Sequence, residues 1–163
     1  MYRENILDHY KHPRNFGELP DADVSYEIDN PLCGDRLKLQ IKFSPPPNLP
    51  LSKGEECKIA DIKFTGSGCA ISMAAASLLT EYLKNKTRAE LLAIDDEVIY
   101  KLLGIEINPG RIKCALLPLL GLKEIRCGGV SSRIVTSAMR GQVRHLKLAQ
   151  KYNTLINPDN MLL

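Results

Sequence analysis

Thr65-Gly66-Ser67-Gly68-Cys69-Ala70-Ile71-Ser72-Met73-Ala74-Ala75-Ala76 joins the end of an alternating apolar segment to the start of an alanine-rich one. The stretch reads as a strand, a glycine-rich turn and a helix whose first turn carries a cysteine. The glycines relax the steric limits of a tight turn and let the backbone come close to whatever the sulfur holds. At a helix start, unpaired N–H groups and the helix dipole favour a thiolate over a thiol. Such a sulfur suits metal binding or sulfur uptake, provided that other ligands join it.

Working outward, the apolar segment before this stretch is Ala60, Ile62 and Phe64, alternating with Asp61 and Lys63. Further upstream, Leu37, Leu39, Ile41 and Phe43 alternate with Arg36, Lys38, Gln40 and Lys42, the clearest strand in the chain. Val24, Tyr26 and Ile28 alternate in the same way before Asn30-Pro31. Three amphipathic strands joined by turns predict an α+β fold: a small three-stranded antiparallel sheet with helices packed on one face. The proline-rich Pro45–Glu56 segment cannot continue a sheet and reads as a projecting loop.

The helix after Cys69 is expected over 70–84, with Ile71, Ala75, Leu78, Leu79 and Tyr82 on one side. A short N-terminal helix is read over 2–11, with Tyr2, Ile6, Leu7 and Tyr10 at helical spacing and Pro13 as its stop. Thr87 and Glu90 form a capping box, and Asp95 caps a helix that ends near Gly104. A last helix begins around Arg111 or Ile112, and Pro118 fits within it only if the helix starts late or bends. Past Leu120 the periodicity fades. Residues 1–125 are read as one domain, and residues 126–163 as a peripheral tail without firm pattern.

Length fits one domain, able to bury roughly 70% of its extended surface. The 22 Lys and Arg against 19 Asp and Glu leave a net charge of +3, too mild to indicate nucleic acid. The start has no apolar signal core, and no stretch approaches a membrane span, so the reading is cytoplasmic, with no membrane partner. Five cysteines at irregular spacing (33, 57, 69, 114 and 127) do not form a secreted disulfide framework, and no CxxC pair occurs. Each taken singly is most simply a buried, inert thiol. Cys57 reads as structural, and Cys127, beside two glycines, as an ordinary exposed thiol rather than a ligand. His9 and His12 read as polar face or local packing. Any site must be assembled by the fold from Cys69 together with Cys33 in Asn30-Pro31-Leu32-Cys33-Gly34-Asp35 and Cys114 in Arg111-Ile112-Lys113-Cys114-Ala115.

With Tyr10-Lys11-His12-Pro13-Arg14-Asn15-Phe16-Gly17 added, these motifs resemble the IscU/SufU/NifU N-terminal family of iron–sulfur cluster assembly proteins, from the N-terminus to about Lys123. The resemblance implies a SufE/NifU-like sheet-and-helix fold with the site at one exposed end. It places the ligands on Cys33, Asp35, Cys69 and Cys114, and makes Cys114 the expected acceptor of persulfide sulfur. The implied partners are a cysteine desulfurase and apo iron–sulfur acceptor proteins. The implied cargo is iron and a transient [2Fe–2S] cluster on a scaffold that turns over no small molecule by itself. Three soft thiolates and a carboxylate can equally hold zinc. A SufU-like zinc-dependent sulfurtransferase and a structural zinc interaction module therefore stand as alternatives.

Two departures bear on the branch. Lys113 replaces the histidine that precedes the third cysteine in the IscU branch, and with Arg111 it can support a thiolate at Cys114. Asn108-Pro109-Gly110-Arg111-Ile112-Lys113 stands where that branch has Leu-Pro-Pro-Val-Lys, so a dedicated Hsp70 chaperone is not implied. Arg111-Ile112-Lys113-Cys114 is SufU-like, yet the 44 residues between Cys69 and Cys114 leave little room for the extra SufU stretch.

Overall fold

The computed structural model describes residues 2–44 and 56–123. Helix α1 (Tyr2–Lys11) leads into a meander of β1 (Val24–Asn30), β2 (Asp35–Ser44) and β3 (Lys58–Ser67). Helices α2 (Ala70–Leu83), α3 (Arg88–Ala93), α4 (Asp96–Leu103) and α5 (Ile112–Lys123) follow, with a 3-10 turn at Pro109–Arg111. The sheet order is β1-β2-β3, antiparallel throughout. This is the α+β architecture read from the alternation: helices α2 and α5 lie against β3 and against β1 and β2, respectively. Among the described residues no helix is long and apolar enough to cross a membrane. Cys127, the boundary expected near residue 125 and the Pro45–Glu56 loop up to residue 55 lie outside the described residues.

The inward face of β2 is fully committed to the core: Leu37, Leu39 and Ile41 are completely buried and Phe43 nearly so. On the opposite face Lys38 pairs with Glu18 and Lys42 with Asp21. That face is not wholly wet. The chain before β1 folds across it, and the Gln40 amide both accepts from Leu19 N (3.1 Å) and donates to Leu19 O (3.2 Å).

Four expectations are corrected. In β3 the buried residue is Ile59, not Ala60, because Phe43 pairs with Ile59 while Lys42 pairs with Asp61. Ala60 is the extra residue of a bulge, which shifts the alternation by one. The glycine-rich stretch is mostly strand: β3 runs through Gly66 to Ser67, and only Gly68 and Cys69 separate it from α2. In α1, Leu7 and Tyr10 are exposed; Ile6 and His9 face inward instead. In α2 the buried face centres on Ser72, Ala75, Ala76, Leu79 and Leu83, leaving Tyr82 exposed.

His9 is held by packing. Its Nδ1 lies 2.8 Å from Ser77 Oγ, which also accepts from Arg14 N at 2.8 Å. Together with Asn15 Nδ2 donating to Thr80 Oγ1, these bonds fasten the N-terminal segment to α2. The capping box at Thr87 and Glu90, the Asp95 cap and the left-handed Gly104 terminus all form as read. Helix α5 starts at Ile112, so Pro118 sits in its interior, and the N–H owed to the Cys114 carbonyl four residues earlier is missing.

Two glycines permit close approaches, Gly66 within the sheet and Gly121 between α5 and the sheet. Gly66 has φ +147°, and a Cβ there would lie 2.1 Å from Arg36 O. At Gly121 a Cβ would meet only side-chain ends, Leu39 Cδ1 at 3.0 Å and Ile28 Cγ2 at 3.2 Å. Gly66→Ala is therefore expected to cost about 3 kcal/mol or more, since both conformation and backbone contact oppose it. Gly121→Ala should cost about 1–2 kcal/mol by overpacking. Urea unfolding of the two variants checks the order, which is overturned if Gly66→Ala is the milder.

Burial, followed by the nearby Arg14 charge, holds the His9 pKa below its ordinary 6.5. As pH falls through about 6.5 the unfolded chain takes up a proton that folded His9 resists, so stability falls with acidification. His9→Gln should flatten the decline in Tm between about pH 7.5 and 5.5, and an unchanged slope would remove His9 as its source.

Candidate metal centre

The site lies where the β1–β2 turn meets the first residues of α2 and α5. Residues Pro31–Gly34 connect β1 to β2 across the Asn30↔Asp35 pair. Asn30 closes this loop almost alone. Its backbone carbonyl accepts from Cys33 N (3.1 Å) and Gly34 N (2.8 Å), and its side-chain Oδ1 accepts from Leu32 N (3.3 Å). Gly34 takes the left-handed conformation, φ +71°, that returns the chain to β2. Cys33 is thereby displayed to solvent, while Asp35, the first residue of β2, is 1% exposed.

Asp35 Oδ1 accepts a hydrogen bond from Cys69 N at 2.8 Å. Cys69 is the N-cap of α2 rather than a residue of its first turn, and its sulfur accepts from Ser72 N at 3.5 Å. Gly68 makes room for the carboxylate, since a Cβ there would sit 3.0 Å from Asp35 Oδ1 and 3.1 Å from Ser72 Oγ. Cys114, in the first turn of α5, is fully buried, and Asn30 Nδ2 donates to its sulfur at 3.6 Å.

Ligand atoms of Cys33, Asp35 and Cys114 lie within 4.8 Å of one another, a group of three that can hold a metal ion. The protein's own bonding leaves this site incomplete. Asp35 Oδ2 and Ser72 Oγ are buried without a hydrogen-bond partner among the described residues. A buried carboxylate oxygen without a donor is costly unless a cation meets it. Two soft sulfurs and one hard oxygen suit zinc or iron.

Of the residues singled out by sequence, the fold brings Cys33, Asp35 and Cys114 together, with Cys69 attached through its amide. Arg111 is exposed on the 3-10 turn, and Lys113 is half-buried in the first turn of α5. Burial, more than any neighbour, pushes the Cys114 thiol well above its ordinary range, and the adjoining Asp35 carboxylate and the sulfurs of Cys33 and Cys69 push it the same way. Cys57 is buried in the hydrophobic core. Sequence reasoning missed Asn30 and Ser72. An asparagine before proline signals a turn, and nothing in its spacing reveals a contact with a sulfur 84 positions away.

A family model described as NifU-like N terminal domain matches residues 1–126. The chain is 37% identical over 141 residues to the zinc-dependent sulfurtransferase SufU of Bacillus subtilis strain 168, a match covering 76% of this chain and 88% of that one. It is 36% identical over 119 residues to the iron–sulfur cluster assembly scaffold protein IscU of Escherichia coli K12, covering 71% and 84%. Among solved structures, an iron–sulfur cluster assembly scaffold protein for the SUF system (FiSufU) from Fervidobacterium islandicum AW-1 matches with a TM-score of 0.57 at 29% identity, covering 74% and 92%. With its first 126 residues inside the family model and its cysteine turns gathered at one end of the same sheet, the chain belongs to the IscU/SufU/NifU N-terminal family of iron–sulfur cluster assembly scaffold proteins.

Proposed function

We propose that this chain is a cytoplasmic scaffold that accepts sulfur from a cysteine desulfurase, gathers iron, and holds a transient [2Fe–2S] cluster on Cys33, Asp35, Cys69 and Cys114 for transfer to apo-proteins. The observation that carries this reading is the buried, half-satisfied Asp35 carboxylate beside one exposed and one buried sulfur. The carboxylate calls for a cation, and the exposed sulfur is open to a partner. Cys69 joins as the fourth ligand by turning its sulfur away from Ser72 N.

Burial of Cys114 favours Cys33 as the first acceptor. The Cys33 thiolate attacks the outer sulfur of the desulfurase persulfide. The S–S bond of the donor breaks, its cysteine leaves as a thiolate, and a new S–S bond forms on Cys33. Conversion of that sulfur to sulfide then takes two electrons from an external donor such as a reduced ferredoxin. A carboxylate at one corner of the site binds iron less tenaciously than a fourth thiolate, which suits a cargo that must leave.

A second reading, a zinc-dependent sulfur relay, is favoured by the compactness of the ligand set. Tetrahedral ligands of one zinc at about 2.0–2.3 Å lie roughly 3.3–3.8 Å apart, and these three atoms already fall within 4.8 Å of one another. In that reading Cys33, Asp35 and Cys114 would hold the zinc, which would supply Lewis-acid stabilisation of the thiolates, and Cys33 would be the sulfur that accepts.

Anaerobic protein incubated with ferrous iron, cysteine and a cognate desulfurase separates the two. Iron and acid-labile sulfide in equal amounts, with visible absorbance that passes to an apo-ferredoxin, supports the scaffold. Retained zinc with persulfide on Cys33 and no cluster overturns it in favour of the relay. Cys33→Ser should abolish persulfide loading in either case, and loading that persists on Cys114 would reverse the order of the two sulfurs. Asp35→Asn should leave the metal-free Tm equal or higher, because it removes a buried charge, while weakening zinc binding about 10-fold or more. A lower metal-free Tm with intact zinc affinity would make Asp35 a structural residue.

A further inference from the structure

Asn30 is completely buried and contacts both the backbone of the Cys33 loop and the sulfur of Cys114. Its Oδ1 is engaged by Leu32 N at 3.3 Å, which fixes the orientation of the amide and turns Nδ2 toward Cys114 Sγ at 3.6 Å. Its backbone carbonyl holds Cys33 N and Gly34 N. One residue therefore accepts from the three consecutive amides of the Cys33 loop and donates to the sulfur of Cys114.

We propose that Asn30 is a positioning residue that divides the work between the two cysteines, holding Cys114 as the retained metal ligand and leaving Cys33 as the sulfur that is released. The inference rests on the ligand set proposed above and adds the residue that ranks its members. An N–H donated to a metal-bound thiolate stabilises the lone pairs of that sulfur and lowers its reactivity toward electrophiles. Among the described residues, Cys114 has this side-chain donor and Cys33 has none. Cys33 is also carried on a four-residue turn, whereas Cys114 is fixed by a helix packed on the sheet. Geometry and bonding thus point the same way. The exposed, undonated sulfur leaves the metal, and the buried, donated one stays.

The test uses the full chain loaded with Co2+ as the metal probe. Asn30→Asp keeps an acceptor for Leu32 N and the backbone bonds of the loop, but replaces the donor at Cys114 with an oxygen. Asn30→Ala removes both side-chain contacts. In wild-type protein with metal bound, iodoacetamide followed by mass spectrometry should modify Cys33 about 10-fold or more faster than Cys114. Both variants should lower that ratio several-fold and move the sulfur-to-cobalt charge-transfer band to lower energy. The band shift is a signature that a merely structural role would not produce. Equal alkylation of Cys33 and Cys114 in the wild type overturns the proposal without recourse to any variant. So does an unchanged ratio and band in Asn30→Asp. Absence of any thiolate-to-cobalt band in the wild type is a different failure, which overturns the ligand set and the inference with it.

Discussion

The hydrogen bond from Cys69 N to Asp35 Oδ1 ties the start of the central strand to the start of the longest described helix. It is short, at 2.8 Å, and it joins a buried carboxylate to the end of a helix whose free amides carry partial positive charge. Without that helix end, neither oxygen of so deeply buried a carboxylate would have a hydrogen-bond donor among the described residues. With it, one oxygen is satisfied and the other is left without a partner in a carboxylate that lies within reach of the Cys33 and Cys114 sulfurs. Gly68 belongs to the same arrangement, because a Cβ there would press on the carboxylate, 3.0 Å from Oδ1. The protein thus stabilises half of an anion and leaves the other half to a ligand.

The layers bring the third cysteine to the same place by simple geometry. At Gly121, α5 comes close to Tyr26, Ile28 and Leu39. Seven residues back along the helix, about 10 Å at 1.5 Å per residue, Cys114 meets Asn30 at the end of β1. The same distance is covered by about three residues of strand, which is the separation from the Tyr26–Ile28 region to Asn30. Helix α5 therefore runs antiparallel to β1. Its close contact at one end sets the height at which the sulfur arrives at the other. A bulky residue in place of Gly121 would lift the helix from the sheet and the sulfur from the site together.

Much of this was readable because the relevant signals are local. The alternation of Leu37 to Phe43, the Thr87 capping box and the Gly104 terminus depend on neighbours within a few residues, and each appears where it was read. The errors share a cause as well. Ala60 was placed inside because period-two counting assumes an unbroken ladder, and a bulge opposite Lys42 and Phe43 moved Ile59 into the core instead. Tyr10 and Leu7 have helical spacing, but burial in α1 is decided by the Ser77 hydroxyl that captures His9 and Arg14. The cysteine motifs brought the site residues to attention. How they are related in space depends on tertiary packing, so neither the capping posture of Cys69 nor the role of Asn30 could be seen beforehand.

The three site cysteines differ most in how they are held. Cys33 rides on a turn in solvent, Cys69 caps a helix with its sulfur on Ser72 N, and Cys114 is enclosed with a raised thiol pKa. A site built only for permanence would bury and donate to all of them equally. Here two opposing tendencies are combined. The unpartnered Asp35 oxygen favours a bound cation, and the desolvated Cys114 thiol favours a proton in the cation's absence. A metal bound there would have to displace that proton, so neither the filled nor the empty state would be stabilised by all of the site's groups at once. Such a balance suits a carrier, whose cargo has to enter from one partner and leave to another through the same exposed end.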